Sequence, residues 1–182
     1  MNYRPVVATL LALFSSSLLG ASPYVGEEAR SIKSLSADEV VAYTAGKGMG
    51  FAKAAELNGY PGPAHVLELA DQLELSPVQR QQTQALFDSM SSAAIALGEQ
   101  LIAAEQALDE LFSTRTIDTR SLSVATTNIA RIRGVLRRVH LATHLQQLPL
   151  LTNQQVARYN KLRGYTSQTT SKHSGHKHKH KH

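Results

Sequence analysis

The sequence predicts an all-α protein: a long antiparallel helical hairpin with short flanking helices and a polar C-terminal tail. Three observations predict it. Apolar residues recur at steps of three and four through two long stretches, matched helix-start phrases open three segments, and no stretch alternates apolar and polar residues between hairpin turns.

The first residues have the pattern of an export address. Arg4 supplies a positive start, residues 6–19 are mostly apolar with Ser15, Ser16 and Ser17 among them, and the small Gly20 and Ala21 follow. This predicts a signal peptide over residues 1–21, cleaved after Ala21, and a periplasmic protein. An uncleaved anchor is the alternative, although the apolar run is short for a span of about 20 residues. Residues 22–74 predict short helices and a Gly/Pro-rich loop. One helix starts at Ser36 and fades into Gly46-Lys47-Gly48-Met49-Gly50, which lacks the strand and lysine context of a phosphate loop and reads as flexible punctuation. Residues 51–57 add a turn or two. Asn58-Gly59-Tyr60-Pro61-Gly62-Pro63 is a break, since Asn-Gly and Pro-Gly demand turn geometry. A short helix over residues 63–73 carries Val66, Leu67, Leu69, Ala70 and Leu73 as its apolar set.

The main helix starts at Ser76, with Leu86, Met90, Ala93, Leu97, Leu101, Ala104, Leu108 and Leu111 as its seam. It breaks in the polar and β-branched cluster at residues 113–119. Leu122, Ala125, Ile129, Ile132, Leu136 and Val139 carry the same spacing through a second long helix, which Pro149 ends. Two long helices across a short break predict the hairpin. Glu99, Glu105, Asp109 and Glu110 on the first helix are expected to face Arg131, Arg133, Arg137 and Arg138 on the second, or else to form solvated faces. Each exposed pair is worth only about 0–1 kcal/mol. A final helix with Val156, Tyr159 and Leu162 closes near Gly164. Beyond residue 165 the chain has no apolar side chain to bury, which predicts disorder.

The helix starts are specific. Leu75-Ser76-Pro77-Val78-Gln79 and Leu151-Thr152-Asn153-Gln154-Gln155 each place a leucine, a hydroxyl residue, two variable positions and a glutamine in order. The hydroxyl can accept from the backbone N–H three residues on, and the glutamine can reach back to the cap's own N–H. Leu151 and Val156 suit a hydrophobic staple, and Pro77 suits the first helical position. Leu35-Ser36-Ala37-Asp38-Glu39 is a third copy, with Glu39 as reciprocal partner.

Two such boxes bracketing a long helical stretch behind an export signal resemble the LTxxQ motifs of the Spy/CpxP family of periplasmic stress proteins, whose relatives include heavy-metal-binding and metal-sensing proteins. The resemblance covers residues 75–165, about half the chain, and the first box has Ser76 where the family pattern has Thr. It implies helical hairpins paired as a cradle-shaped homodimer that binds unfolded or envelope proteins without ATP. A periplasmic sensor or sequestering protein for Zn, Ni or Cu, and a structural helical module that binds partners, are the alternatives.

Composition narrows the chemistry. The chain has no cysteine, which removes disulfides, thiolate metal sites and lipid anchoring through an N-terminal cysteine. The net charge of +5 is terminal: without Arg4, Lys172, Lys177, Lys179 and Lys181 the 19 basic residues become 14, matching the 14 acidic ones. A neutral body argues against nucleic acid as partner. No nucleophile elbow, zinc-protease motif or phosphate loop is present, so the chain reads as a non-enzyme.

Histidine is the remaining signal. His173, His176, His178, His180 and His182 crowd the tail, where imidazole suits Zn, Cu and Ni. The interleaved lysines repel a cation, so a sequestering tail is expected rather than a tight site; a solubilising polycation is the plainer alternative. His140 and His144 lie one helical turn apart and project from one side. Pairing Glu99 with Arg133 in an antiparallel hairpin places Asp88 opposite His144, making Asp88 the candidate third ligand. Two half-exposed histidines flanking the seam are the plainer reading. His65, three residues before Glu68, reads as a cap or surface histidine.

Overall fold

The computed structural model describes residues 22–165. Residues 1–21, expected to be a signal peptide, and the tail histidines His173, His176, His178, His180 and His182 lie outside the described residues. Within them every regular element is a helix: α1 (Ala37–Thr44), α2 (Lys53–Glu56), α3 (Pro63–Glu68), α4 (Pro77–Ser113), α5 (Thr119–Gln147) and α6 (Asn153–Leu162), with single 3-10 turns at Glu27–Ala29 and Leu148–Leu150. No helix among these residues is long and apolar enough to cross a membrane.

The capping boxes form as the sequence dictates. Ser36, Ser76 and Thr152 each accept from the backbone N–H three residues on, and Glu39, Gln79 and Gln155 reach back to the cap. A fourth box, Asp118 with Ser121, starts α5. Its serine stands where Glu or Gln is usual, so the pattern hides it in the sequence. α3 stops at Glu68 rather than running to residue 73. The chain turns there, and Glu74 takes a left-handed φ of 53° before the next box.

α4 and α5 pack as a hairpin across a five-residue connection, residues 114–118. The N-terminal segment is no mere flank: Ile32, Leu35 and Tyr43 share one core with Ala94, Leu101, Ile129, Ile132 and Leu136. Its approach is possible because α4 carries a glycine there. A Cβ at Gly98 would collide with the Tyr43 carbonyl. This contact rotates the buried stripe of α4 away from the expected seam. Ala94, Gly98, Leu101 and Glu105 are buried, whereas Leu86, Ala93, Leu97, Ala104 and Leu111 are only half-buried. At about 100° per residue the latter lie on the flank of α4 opposite Gly98, with the α5-facing residues between. The N-terminal segment covers one face of the hairpin and leaves the other open.

The expected ion pairs between α4 and α5 do not form. Ser34 donates to Glu105 at 2.9 Å and Lys33 pairs with Asp109 at 3.3 Å, so the N-terminal segment takes these acids. Arg131, Arg133, Arg137 and Arg138 are exposed and have no acidic partner within 4.0 Å among the described residues.

A second core closes the hairpin base, where Val66, Ala70, Leu73, Leu75, Leu151 and Tyr159 pack together. The leucines of both boxes are therefore core residues, and α6 folds back against the start of α4.

Candidate functional site

The base of the hairpin carries an open cavity of 530 Å³ between the residue 45–53 segment, α3, α4 and α5. Ala45, Met49, Phe87 and Met90 give it apolar walls. Glu56, His65, Glu68, His140 and His144 add polar groups, and Lys47 and Lys53 stand at it as well. Its volume lies in the range of small-molecule pockets, about 300–1,000 Å³.

The two helical histidines are not half-exposed: His140 is 3% and His144 is 7% exposed. They do different things. His144 donates from Nδ1 to the Tyr60 carbonyl at 2.7 Å, which fixes its hydrogen on that nitrogen, since a carbonyl only accepts. The Pro61-Gly62-Pro63 turn makes this possible. A Cβ at Gly62 would sit 2.7 Å from the imidazole Cε1, so only glycine lets the ring lie against the turn.

Among the described residues His140 has no hydrogen-bond partner. Its ring stacks on Phe51 with centroids 6.0 Å apart, its Nε2 is enclosed without a partner, and its Nδ1 lies beneath Gly48 at the cavity. Burial, and secondarily the neighbouring His144, holds this imidazole below the ordinary histidine range. The tautomer that keeps a lone pair on enclosed Nε2 and the hydrogen on Nδ1 is the cheaper one, because an N–H locked away from any acceptor is rarely tolerated.

The carboxylate beside His144 is not Asp88. Asp88 is exposed on α4 and accepts from Gln84 at 2.8 Å. The register along the hairpin is close to that expected, since Gln147 donates to Thr83 at 3.1 Å; Asp88 misses because it lies on an exposed face of α4 turned away from α5. Glu56 from α2 lies 3.7 Å from His144 Nδ1 instead. It also accepts from the Tyr159 hydroxyl and lies 3.5 Å from Arg163 Nε. Tyr159 is fully buried, and burial first, then the Glu56 carboxylate, pushes its phenol pKa up. Glu56 thus ties α2, α5 and α6 together. Nothing in the sequence marked it, since its partners His144, Tyr159 and Arg163 lie far along the chain and meet it only in the fold. Among the described residues no three His, Asp or Glu side chains are grouped to hold a metal ion. His65 bonds Glu68 at 2.7 Å on the surface of α3, as a surface histidine should.

The motif residues meet in space. Gln79 and Gln155 bond each other across the base, and Leu75 and Leu151 are buried beside them. Ser76 and Thr152 serve as caps. Comparison with known proteins gives no match to any family model, any curated protein or any solved structure.

Proposed function

We propose that this chain is a non-enzymatic envelope stress protein that binds unfolded or envelope polypeptides, without ATP, along the open face of its hairpin. One observation carries the reading. Leu86, Ala93, Leu97 and Ala104 of α4 and Val135, Val139 and Ala142 of α5 are half-buried apolar residues, those of α4 on the flank away from Gly98. Exposed arginines of α5, with Arg131 and Arg138 nearest, border them. Half-buried apolar residues rimmed by solvated charge suit extended clients, because burial supplies affinity without demanding one sequence. A homodimer could use the acids of α4 that the N-terminal segment does not take, Glu99 and Glu110, beside the basic α5 of the other copy. The Spy/CpxP resemblance agrees with this reading and with a periplasmic location.

Uptake of Zn, Ni or Cu belongs in this reading to the tail histidines. His144 has committed Nδ1 to Tyr60, and Asp88 does not reach the helical pair. Suppression of aggregation of a chemically unfolded client, without metal or nucleotide, tests the function. The wild-type protein should suppress it, and Val135→Glu or Ala93→Glu should weaken suppression while the fold persists. No suppression by the wild-type protein, or full suppression by both variants, would overturn the reading.

A further inference from the structure

We infer that copies of this chain associate edge to edge, the arginine edge of α5 in one copy lying against the acidic edge of α4 in the next, so that assembly is open-ended rather than closed at two. The inference takes up the copy-to-copy contact of the preceding reading and does not depend on client binding.

Charge is segregated between the two long helices. α5 carries five arginines and no acidic residue, whereas α4 carries five acidic residues and one arginine. The N-terminal segment takes Glu105 and Asp109. Asp88, Glu99 and Glu110 are exposed and form no ion pair among the described residues, and the same holds for Arg120, Arg131 and Arg138.

These six residues lie on the two outer edges of the hairpin. Gln147 donates to Thr83 at 3.1 Å, which marks where α4 and α5 face each other. At about 100° per residue, the three acids lie about 140–180° round α4 from Thr83, and the three arginines about 160–180° round α5 from Gln147. Side chains on opposite outer edges cannot reach across the hairpin, so these charges stay unpaired within one copy.

Their heights match. Glu99 is 16 residues beyond Thr83 and Arg131 is 16 before Gln147; Glu110 and Arg120 are each 27 away. Both helices rise about 1.5 Å per residue, so each acid is level with its arginine. Arg138 is four residues from the level of Asp88, about 6 Å, which a long side chain spans. A second hairpin set beside the first in the same orientation, with no shift along its length, therefore brings opposite charges together. Uncharged residues match too. Gly134 is level with Ala96, and Leu145, 61% exposed, is level with Ala85, all four exposed on these edges. Gly134 has nothing within 4 Å of a built Cβ, so no contact inside the chain accounts for glycine in that helix, where it costs stability.

The contact joins unlike edges, so every added copy presents another free edge and the assembly grows. Exposed ion pairs are weak and screened, which makes the association reversible and salt-sensitive.

Sedimentation velocity of the full chain over a concentration series tests this. At low salt the average mass should rise past two copies with concentration. It should fall to the monomer at about 1 M salt, where the screening length is about 3 Å. Glu99→Arg and Arg131→Glu should each abolish growth with helix content unchanged by circular dichroism, since both sites are exposed. An equimolar mixture of the two should regain it, because the reversed α4 edge of one meets the reversed α5 edge of the other. A wild-type protein monomeric at low salt, a mass that stops at two copies, single variants that associate like the wild type, or a mixture that stays monomeric would overturn the inference. Client suppression is read separately with Val135→Glu and Ala93→Glu, so failed association with suppression intact overturns this inference alone.

Discussion

Gln79 and Gln155, 76 residues apart, exchange two side-chain hydrogen bonds at the base of the hairpin. Gln79 Nε2 donates to Gln155 Oε1 at 2.8 Å, and Gln155 Nε2 donates to Gln79 Oε1 at 3.1 Å. Each oxygen also accepts from its own cap, Ser76 or Thr152, at 2.9 Å. Each amide nitrogen donates a second time, to the Leu150 or the Leu73 carbonyl. Every donor of both amides is thereby used. The twin motifs are one device: two helix starts locked face to face.

This geometry explains glutamine rather than glutamate at both positions. A carboxylate can accept from the cap but cannot donate across the pair. Gln155→Glu should therefore destabilise the protein although it preserves a capping box. In a double-mutant cycle of Gln79→Ala and Gln155→Ala, urea unfolding should show a coupling of about 0.5–3 kcal/mol, the range for residues in one network. Additive losses would show that the two boxes act separately.

Thr152→Ala should cost about 1 kcal/mol, the usual scale of a lost cap. α6 has only ten residues, and Tyr159 anchors it from its middle. Its first turn should fray before the domain unfolds. Hydrogen exchange of the Gln154 and Gln155 amides should accelerate in the variant, while that of α4 amides near Leu101 should not.

The helices were legible because their signals are local. Periodicity and capping boxes fix α4, α5 and α6 within a few residues, and the hairpin follows from a short connection between long helices. The site was legible only in part: His140 and His144 stand out in the sequence and both line the cavity, but their surroundings do not. Glu56 lies in a four-residue helix with no periodicity, and its partners Tyr159 and His144 meet it only in the fold. Asp88 misses by rotation and not by register: Thr83 and Gln147 pair at nearly the expected positions, but Asp88 lies about 140° round α4 from Thr83. Gly98 admits the Tyr43 backbone, and a lone glycine in a helical pattern does not announce such a contact.

His140 should make the protein acid-sensitive. Its folded pKa is depressed, while the unfolded chain titrates near the ordinary value of about 6.5. Between these two values the unfolded state holds more protons, so stability rises with pH there. The contribution is complete above about pH 6.5 and is lost as pH falls from there towards the folded pKa. His140→Phe keeps a flat ring against Phe51 and removes the titration. Urea unfolding on either side of this window should show a smaller acid loss in the variant than in the wild type. The carboxyl groups of Glu39 and Asp118, whose pKa values lie below the usual range, remain in both proteins as a common background. An identical acid loss would mean that His140 takes no part.

Two glycines in long helices should respond to alanine in opposite directions. Gly134 on α5 has nothing within 4 Å of a built Cβ and is exposed, so Gly134→Ala should gain about 0.5–1 kcal/mol from backbone entropy alone. Gly98→Ala offers the same propensity gain on α4, yet its methyl would drive into the Tyr43 carbonyl and main chain. Backbone cannot swing aside as a flexible side chain can, so α1 must lift off α4. The cost should be about 1–3 kcal/mol, the range for overpacking, and should exceed the propensity gain. Lifting α1 would also expose Tyr43, now 3% exposed. Its fluorescence should therefore become more accessible to quencher in Gly98→Ala and stay unchanged in Gly134→Ala. A Gly98→Ala protein as stable as Gly134→Ala would mean that the N-terminal segment does not rest on α4 at this glycine.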